Sequence, residues 1–437
     1  MNWMSWLFLL VSLWGAWFSY NALFPRRRGV YSATWSFVAG VCTGELAFHH
    51  VAWQALATAG FAALGAFDAL PGQIGLALAG VSWLALVGTQ IRSRQASGIC
   101  QAALEEALAA PATEATSSPS PLEPSRGTHG SEPKRLALAI PLLPRGVERI
   151  RDIQYSRAAG LDLHLDLYRA RNSSGNCPVL FQIHGGGWTV ANKNHQALPL
   201  MHRLAANDWI CVSINYRLSP HATFPEHLID TKRALAWVKE NVAKYGGNPD
   251  FIVATGGSAG GHLCSLIALT PNDAAYQPGF EHVDTSVQGC IPFYGVYDFT
   301  GATEEHDGQE ELFEKYIMKG SRRELSEAYR QASPIHRVGD HAPPFFVIHG
   351  DCDSIVPVAQ ARTFVRELRA QSHAPVAYAE LLGAQHAFDL VNSVRTLAVI
   401  DAAERFANTL HRSCRLSGQQ DDRSASSATS RARLQAV

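Results

Sequence analysis

The sequence has no C-x-x-C pair and no close grouping of histidines with cysteines. Its eight cysteines stand apart at 42, 100, 177, 211, 264, 290, 352 and 414. That spacing offers neither a disulfide framework nor a zinc site, and it fits thiols kept reduced in a cytosolic compartment. Excess charge of one sign is missing too. The 37 Lys and Arg nearly balance the 38 Asp and Glu, so no nucleic-acid partner is expected. No internal repeat is present. A chain of 437 residues is long for one core and suggests two or three units. No Lys or Arg precedes the first apolar run and no small-residue cleavage site follows it, so a cleaved leader is not expected.

What the sequence does have, at its start, is apolar length. Trp3 to Phe24 is uncharged and long enough to cross a hydrocarbon core of about 30 Å. Arg26, Arg27 and Arg28 follow. A second apolar region runs from about Thr34 to Leu70, interrupted by Glu45, His49, His50 and Asp68, and a third from Ile74 to Ile91, closed by Arg92 and Arg94. The second region holds one helix plus a half-buried piece, or two helices. With three spans both arginine clusters fall on the cytoplasmic side, and the rest of the chain with them. Residues 1–94 therefore read as an α-helical transmembrane region of about three spans, with the bilayer as partner. A buried helical hairpin in a soluble domain is the plainer alternative. Glu45, His49 and His50 read as helix-end residues at the interface.

Residues 95–135 read as a short helix and a flexible linker. Pro111 to Pro133 is rich in Pro, Ser, Thr and Glu and cannot bury enough apolar surface to fold. Residues 414–437 read as a disordered polar tail. Between them, 145–413 changes rhythm. Leu161 to Tyr168 alternates apolar and polar residues, and short β-rich runs such as "CPVLFQIH", "FIVATGG" and "PPFFVIHG" are separated by helical patterns at 226–244, 258–269, 358–371 and 389–411. This predicts an α/β domain: a mostly parallel sheet with helices on both faces and an antiparallel leading edge.

The chemistry concentrates where strands end. "FIVATGGSAGGHL" runs a buried strand into Gly256-Gly257-Ser258-Ala259-Gly260 and then a helix. Glycines two residues either side of the serine permit a turn too tight for side chains, leaving Ser258 exposed at its tip. "HGGGW" at 184–188 ends an earlier strand. Glycines there leave backbone N–H groups unshielded, so Gly186 and Gly187, with Ala259, can meet an oxyanion. A serine needs a base. His386 follows the last strand and opens the last helix, at the sheet edge where ligands bind. Asp351 and Asp353 both lie after another strand. Asp353 is preferred, being further into the loop and just before "IVP". The chain order Ser, Asp, His matches that of α/β-hydrolases.

Five pieces in this order, "HGGGW", "NYRLSPHATFPEHLID" (215–230), "GGSAGGH" (256–262), "HGDCDSIVP" (349–357) and "QHAF" (385–388), resemble the hormone-sensitive-lipase-like carboxylesterases of the α/β-hydrolase fold. The resemblance implies Ser258 as nucleophile, Asp353 as acid, His386 as base, and Gly186, Gly187 and Ala259 as oxyanion donors. It also implies that Tyr216, Arg217 and Asp230 are scaffold and that no metal or organic cofactor is needed. Two departures stand out. Gly257 occupies the place where many relatives carry Asp or Glu, and the usual N-terminal cap has no obvious counterpart. Residues 299–334 read instead as two or three amphipathic helices positioned to form a lid.

The expected function is a membrane-anchored serine carboxylesterase or lipase acting on a small-molecule or lipid ester through an acyl-enzyme. An arylformamide hydrolase, which Trp188 permits, is the enzymatic alternative. An inactive ligand-binding receptor of the same fold is the non-enzymatic one.

Overall fold

Period-two alternation assigns each strand side chain to one face of the sheet. On the third strand Val179, Phe181 and Ile183 join one core and Leu180 the other; on the fifth, Ile252 and Ala254 separate likewise from Phe251 and Val253. A sheet apolar on both faces needs helices on both. The computed structural model describes residues 2–108 and 136–434. The linker expected over 111–133 lies outside them.

Eight strands form one sheet: β1 (Val147–Ala158), β2 (Leu161–Ala170), β3 (Cys177–Ile183), β4 (Ile210–Ile214), β5 (Gly247–Gly257), β6 (Gly289–Phe293), β7 (Phe345–Gly350) and β8 (Val376–Leu381). Their spatial order is β1-β2-β4-β3-β5-β6-β7-β8. β1 pairs antiparallel with β2, and β2 with β4; every later pairing is parallel. The order reverses at β3, so a crevice opens beyond the carboxyl ends of β3 and β5, where this topology places ligands.

Among the described residues, the sheet is preceded by α1 (Trp3–Leu23), α2 (Val30–Glu45), α3 (Ala47–Ala63), α4 (Leu70–Arg94) and α5 (Ala96–Leu108). The second apolar region thus divides into α2 and α3 at Leu46. Among the described residues, two stretches are long and apolar enough to cross a membrane, α1 with 21 residues and Leu70–Leu108, which takes in α4 and α5, with 39. α1 and α4 pack closely along each other, and a hydrogen bond joins Ser19 Oγ to Ser82 Oγ at 2.6 Å. Their outer faces expose Trp6, Leu10, Trp14, Val81, Leu84 and Ile91. Exposed apolar surface of this extent suits a lipid or protein partner better than water.

The sheet half contributes α6 (Leu198–Ala206), α7 (Glu226–Asn241), α8 (Ala259–Leu269), α9 (Gln309–Leu312), α10 (Ser326–Gln331), α11 (Val358–Gln371) and α12 (Val394–Leu434). α8 buries Leu263, Leu266 and Ile267 on one face of the sheet; α6 and α12 bury Leu204, Val399 and Phe406 on the other. α12 begins five residues later than its apolar pattern, because Phe388–Leu390 forms a separate 3-10 turn. It also continues to Leu434, through the stretch read from sequence as a disordered tail. Residues 414–434 contain no proline and a single glycine, so nothing in them stops a helix already fixed at its start from propagating.

Candidate active site

The turn after β5 is as tight as its glycines demand. A Cβ on Gly260 would fall 2.1 Å from the carbonyl oxygen of Ile183, and one on Gly256 would fall 2.4 Å from Gly260. Between them Ser258 sits at φ +58°, a conformation that costs a non-glycine residue of order 1–3 kcal/mol. The strain is held by a hydrogen bond from Ser258 N to Phe293 O at 3.0 Å and by α8, whose first turn takes His262 N onto Ser258 O at 3.0 Å. Ser258 is therefore the residue before an 11-residue helix, whose N-terminus favours developing negative charge.

The glycine loop after β3 lies directly against this turn. A Cβ on Gly185 would approach Ser258 Cβ to 3.0 Å and Gly257 O to 2.5 Å. Gly186 and Gly187 have φ of +108° and +57°. Their carbonyl and side-chain neighbours are spoken for: Gly186 O accepts from Thr189 and Val190, and Gly185 N donates to Gln196 Oε1 at 2.6 Å. Among the described residues no acceptor takes the N–H of Gly186, Gly187 or Ala259. Three unspent donors thus lie on the two backbone segments that meet at Ser258.

Tyr216 fixes the base of the loop, stacking on His184 with ring centroids 4.4 Å apart and donating its hydroxyl to His184 O at 3.0 Å. His184 is buried, which lowers its pKa to about 4 and keeps it neutral. Arg217 holds the next segment, donating to both carboxylate oxygens of Asp230 and to Glu226. The indole of Trp188 turns away into a cluster with His262, Phe299 and Phe313. There it anchors the 299–334 segment to the glycine loop.

The two candidate acids part clearly. Asp351 spends Oδ1 on Gly383 N at 2.6 Å. Asp353 Oδ2 accepts from His386 Nδ1 at 2.7 Å, while its Oδ1 takes the N–H groups of Ile355 and Val356, both at 2.8 Å. Burial pushes the Asp353 carboxyl up, but the charge of His386 and hydrogen bonds from His349 and His386 outweigh it and hold the group below the usual carboxylate range. His349, with Nε2 3.3 Å from Asp353 Oδ2, went unnoticed in the sequence because it lies inside β7. A second buried pair flanks His386. The ring of Tyr294 packs 4.6 Å from the imidazole and its hydroxyl donates to Asp389. Gly257 leaves the room for this: a Cβ there would meet the Tyr294 hydroxyl at 2.7 Å.

One residue comes from outside the sheet domain. Phe37, on α2, lies edge-on to His386, with ring centroids 6.0 Å apart at 69°. No local pattern links it to a histidine almost 350 positions later.

A mostly parallel eight-stranded sheet with a serine on a strained strand-to-helix turn, glycines on the neighbouring strand end and a histidine–aspartate pair beyond defines the α/β-hydrolase class. Within that class, residues 165–368 match the BD-FAE family model. The chain is 43% identical over 396 residues to the probable carboxylic ester hydrolase LipM of Mycobacterium tuberculosis, covering 88% of this chain and 89% of that one. It is 46% identical over 280 residues to esterase LipQ of the same organism, covering 63% and 66%. Two solved structures share the fold. The propionate-bound esterase Est2 of Thermogutta terrifontis has TM-score 0.51 and 24% identity over 60% of this chain and 93% of its own. A truncated carbohydrate esterase from gut microbiota has TM-score 0.52 and 23% identity over 59% and 96%. The chain belongs to the hormone-sensitive-lipase-like carboxylesterase family of α/β-hydrolases. The match to LipM is longer than the whole of 145–413, so it takes in part of the helical region as well.

Proposed function

We propose that the protein is a membrane-anchored serine carboxylesterase, with Ser258 as nucleophile, His386 as base, Asp353 as acid and the N–H groups of Gly186, Gly187 and Ala259 as oxyanion donors. The observation that carries this reading is the 2.7 Å contact between His386 Nδ1 and the buried Asp353, together with a serine held at positive φ. A proton on Nδ1 leaves the Nε2 lone pair as the basic site. Nε2 takes the Ser258 proton as Oγ attacks the ester carbonyl, and the carbonyl oxygen, now an anion, rests on the three N–H groups. The tetrahedral species collapses, the C–O bond to the alcohol breaks, and imidazolium returns its proton to the leaving alkoxide. Water, deprotonated by the same nitrogen, then attacks the acyl-enzyme; the carboxylic acid leaves and Ser258 regains its proton.

The N-terminal helices support attachment to a bilayer by several spans. α1 and Leu70–Leu108 have the length. Arg26 to Arg28 and Arg92 and Arg94 favour placing both clusters, and the catalytic domain, on the cytoplasmic side.

The test is hydrolysis of p-nitrophenyl esters from acetate to palmitate by detergent-solubilised full-length protein beside Ser258→Ala. Activity abolished in the variant supports the reading. A folded wild type that cleaves no ester overturns it, and aryl formamides are then the substrates to try.

A further inference from the structure

The helical region touches three catalytic-edge loops at once. In the loop that follows α1, Arg27 donates to the carbonyl oxygen of Asp351 at 2.6 Å, two residues before Asp353. Gly29 N, at the start of α2, donates to Asp307 Oδ2 at 2.6 Å, in the segment that packs on Trp188. Phe37, two turns further along α2, meets His386. At the end of α2, Glu45 pairs with Arg395 and accepts from Ser393 Oγ at 2.6 Å, all three residues buried. Gly40 gives α2 its close fit to α1, since a Cβ there would lie 2.9 Å from Asn21 O. A helix pinned at both ends across the acid loop, the base loop and the 299–334 segment is more than a tether. A tether would need no ion pair between Glu45 and Arg395.

The chemistry of that helix also points outward. Phe37 is half-buried and packs against the core that Ala384, Ala387 and Phe388, around His386, join. Tyr31, Trp35 and Val38 on the same helix are exposed, as are Trp14 on α1 and Leu84 on α4. α2 therefore carries an apolar ring beside the imidazole, at Phe37, and exposed apolar side chains at Tyr31, Trp35 and Val38.

We infer that α2 is a wall of the substrate site and that Phe37 is a specificity-determining residue for esters carrying a long apolar chain, which lies against α2 while the carbonyl reaches Ser258. This rests on the serine-esterase reading above.

The experiment measures kcat/KM of full-length, detergent-solubilised protein for p-nitrophenyl esters from acetate to dodecanoate, in wild type, Phe37→Ala and Phe37→Trp. Phe37→Ala is expected to lower the dodecanoate-to-acetate ratio of kcat/KM at least tenfold. Phe37→Trp, which keeps an aromatic ring and fills more of the wall, moves the optimum to shorter chains. If Phe37→Ala does not fold, Phe37→Leu replaces it and should lower the same ratio by a smaller factor. Equal loss at every chain length, which a purely structural effect on His386 would give, overturns the inference, as does an unchanged profile. Failure of the underlying reading looks different: the folded wild type would then cleave no ester, or Ser258→Ala would remain active on them.

Discussion

Replacing Asp353 by Asn changes almost no volume, yet the hydrogen-bond pattern makes it severe. Asp353 Oδ1 accepts two backbone N–H groups, from Ile355 and Val356, and Oδ2 accepts from His386 Nδ1. An asparagine has one acceptor oxygen. Turned toward the two N–H groups, it leaves its NH2 facing His386, and the imidazole must move its proton to Nε2 to avoid donor facing donor. The basic lone pair then points at the amide and away from Ser258. Turned the other way, the NH2 collides with two donors in a buried site, so this arrangement is worse. Loss of the working tautomer in such a triad lowers kcat by about 10⁴, equivalent to about 5 kcal/mol of transition-state stabilisation. The assay is p-nitrophenyl butyrate turnover, with near-UV circular dichroism to establish folding. Asp351→Asn is the control, since that carboxylate is turned to Gly383 N and should leave kcat near the wild-type value. A folded Asp353→Asn enzyme within tenfold of wild type would refute the reasoning.

Three further outcomes are expected. Gly186→Ala puts a Cβ 2.2 Å from Val190 O at φ +108°, displacing the donor loop; kcat should fall about 10²-fold or more, and an unaffected kcat would remove Gly186 from the oxyanion site. Arg395→Met leaves Glu45 buried without its counter-ion and should cost about 3–5 kcal/mol, read as a urea midpoint in detergent. Adding Glu45→Gln should recover most of that loss, and additive losses would show that the two residues are not coupled. The acid side of the stability profile should also carry the mark of Asp353. Its folded pKa lies below the unfolded value of about 3.9, so its contribution is complete above that pH and is lost as pH falls through the folded pKa. The gap between wild-type and Asp353→Asn melting temperatures should therefore narrow steadily as pH falls below about 4, whereas a constant gap would contradict the assignment.

How much of this could be read from the sequence depends on the range of the interaction. Strand alternation, the apolar helices and the glycines around Ser258 are local, and they locate the sheet, its antiparallel edge and the turn that carries the serine. Motif order sufficed to nominate Asp353 over Asp351, because depth in a loop is also a local property. What escaped was set by tertiary pairing. Glu45 read as a helix-end residue, yet its partner Arg395 lies 350 positions away and no periodicity connects them. Phe37 resembles any other aromatic in an apolar run until α2 is docked on the base loop. Gly257 looked only like a departure from relatives; its missing side chain is the space that the Tyr294 hydroxyl fills on its way to Asp389. The division of the second apolar region was left between one helix and two, since composition alone does not mark the break at Leu46.

The central claim is that Ser258 becomes the acyl carrier. The direct measurement is intact-protein and peptide mass spectrometry after treating the detergent-solubilised full chain with a fluorophosphonate, in wild type and Ser258→Ala. The account predicts one adduct on wild type, mapping to the peptide that contains Ser258, appearing in step with loss of esterase activity, and none on the variant. Activity lost through an adduct on another residue, or esterase activity that survives complete labelling of Ser258, would contradict it.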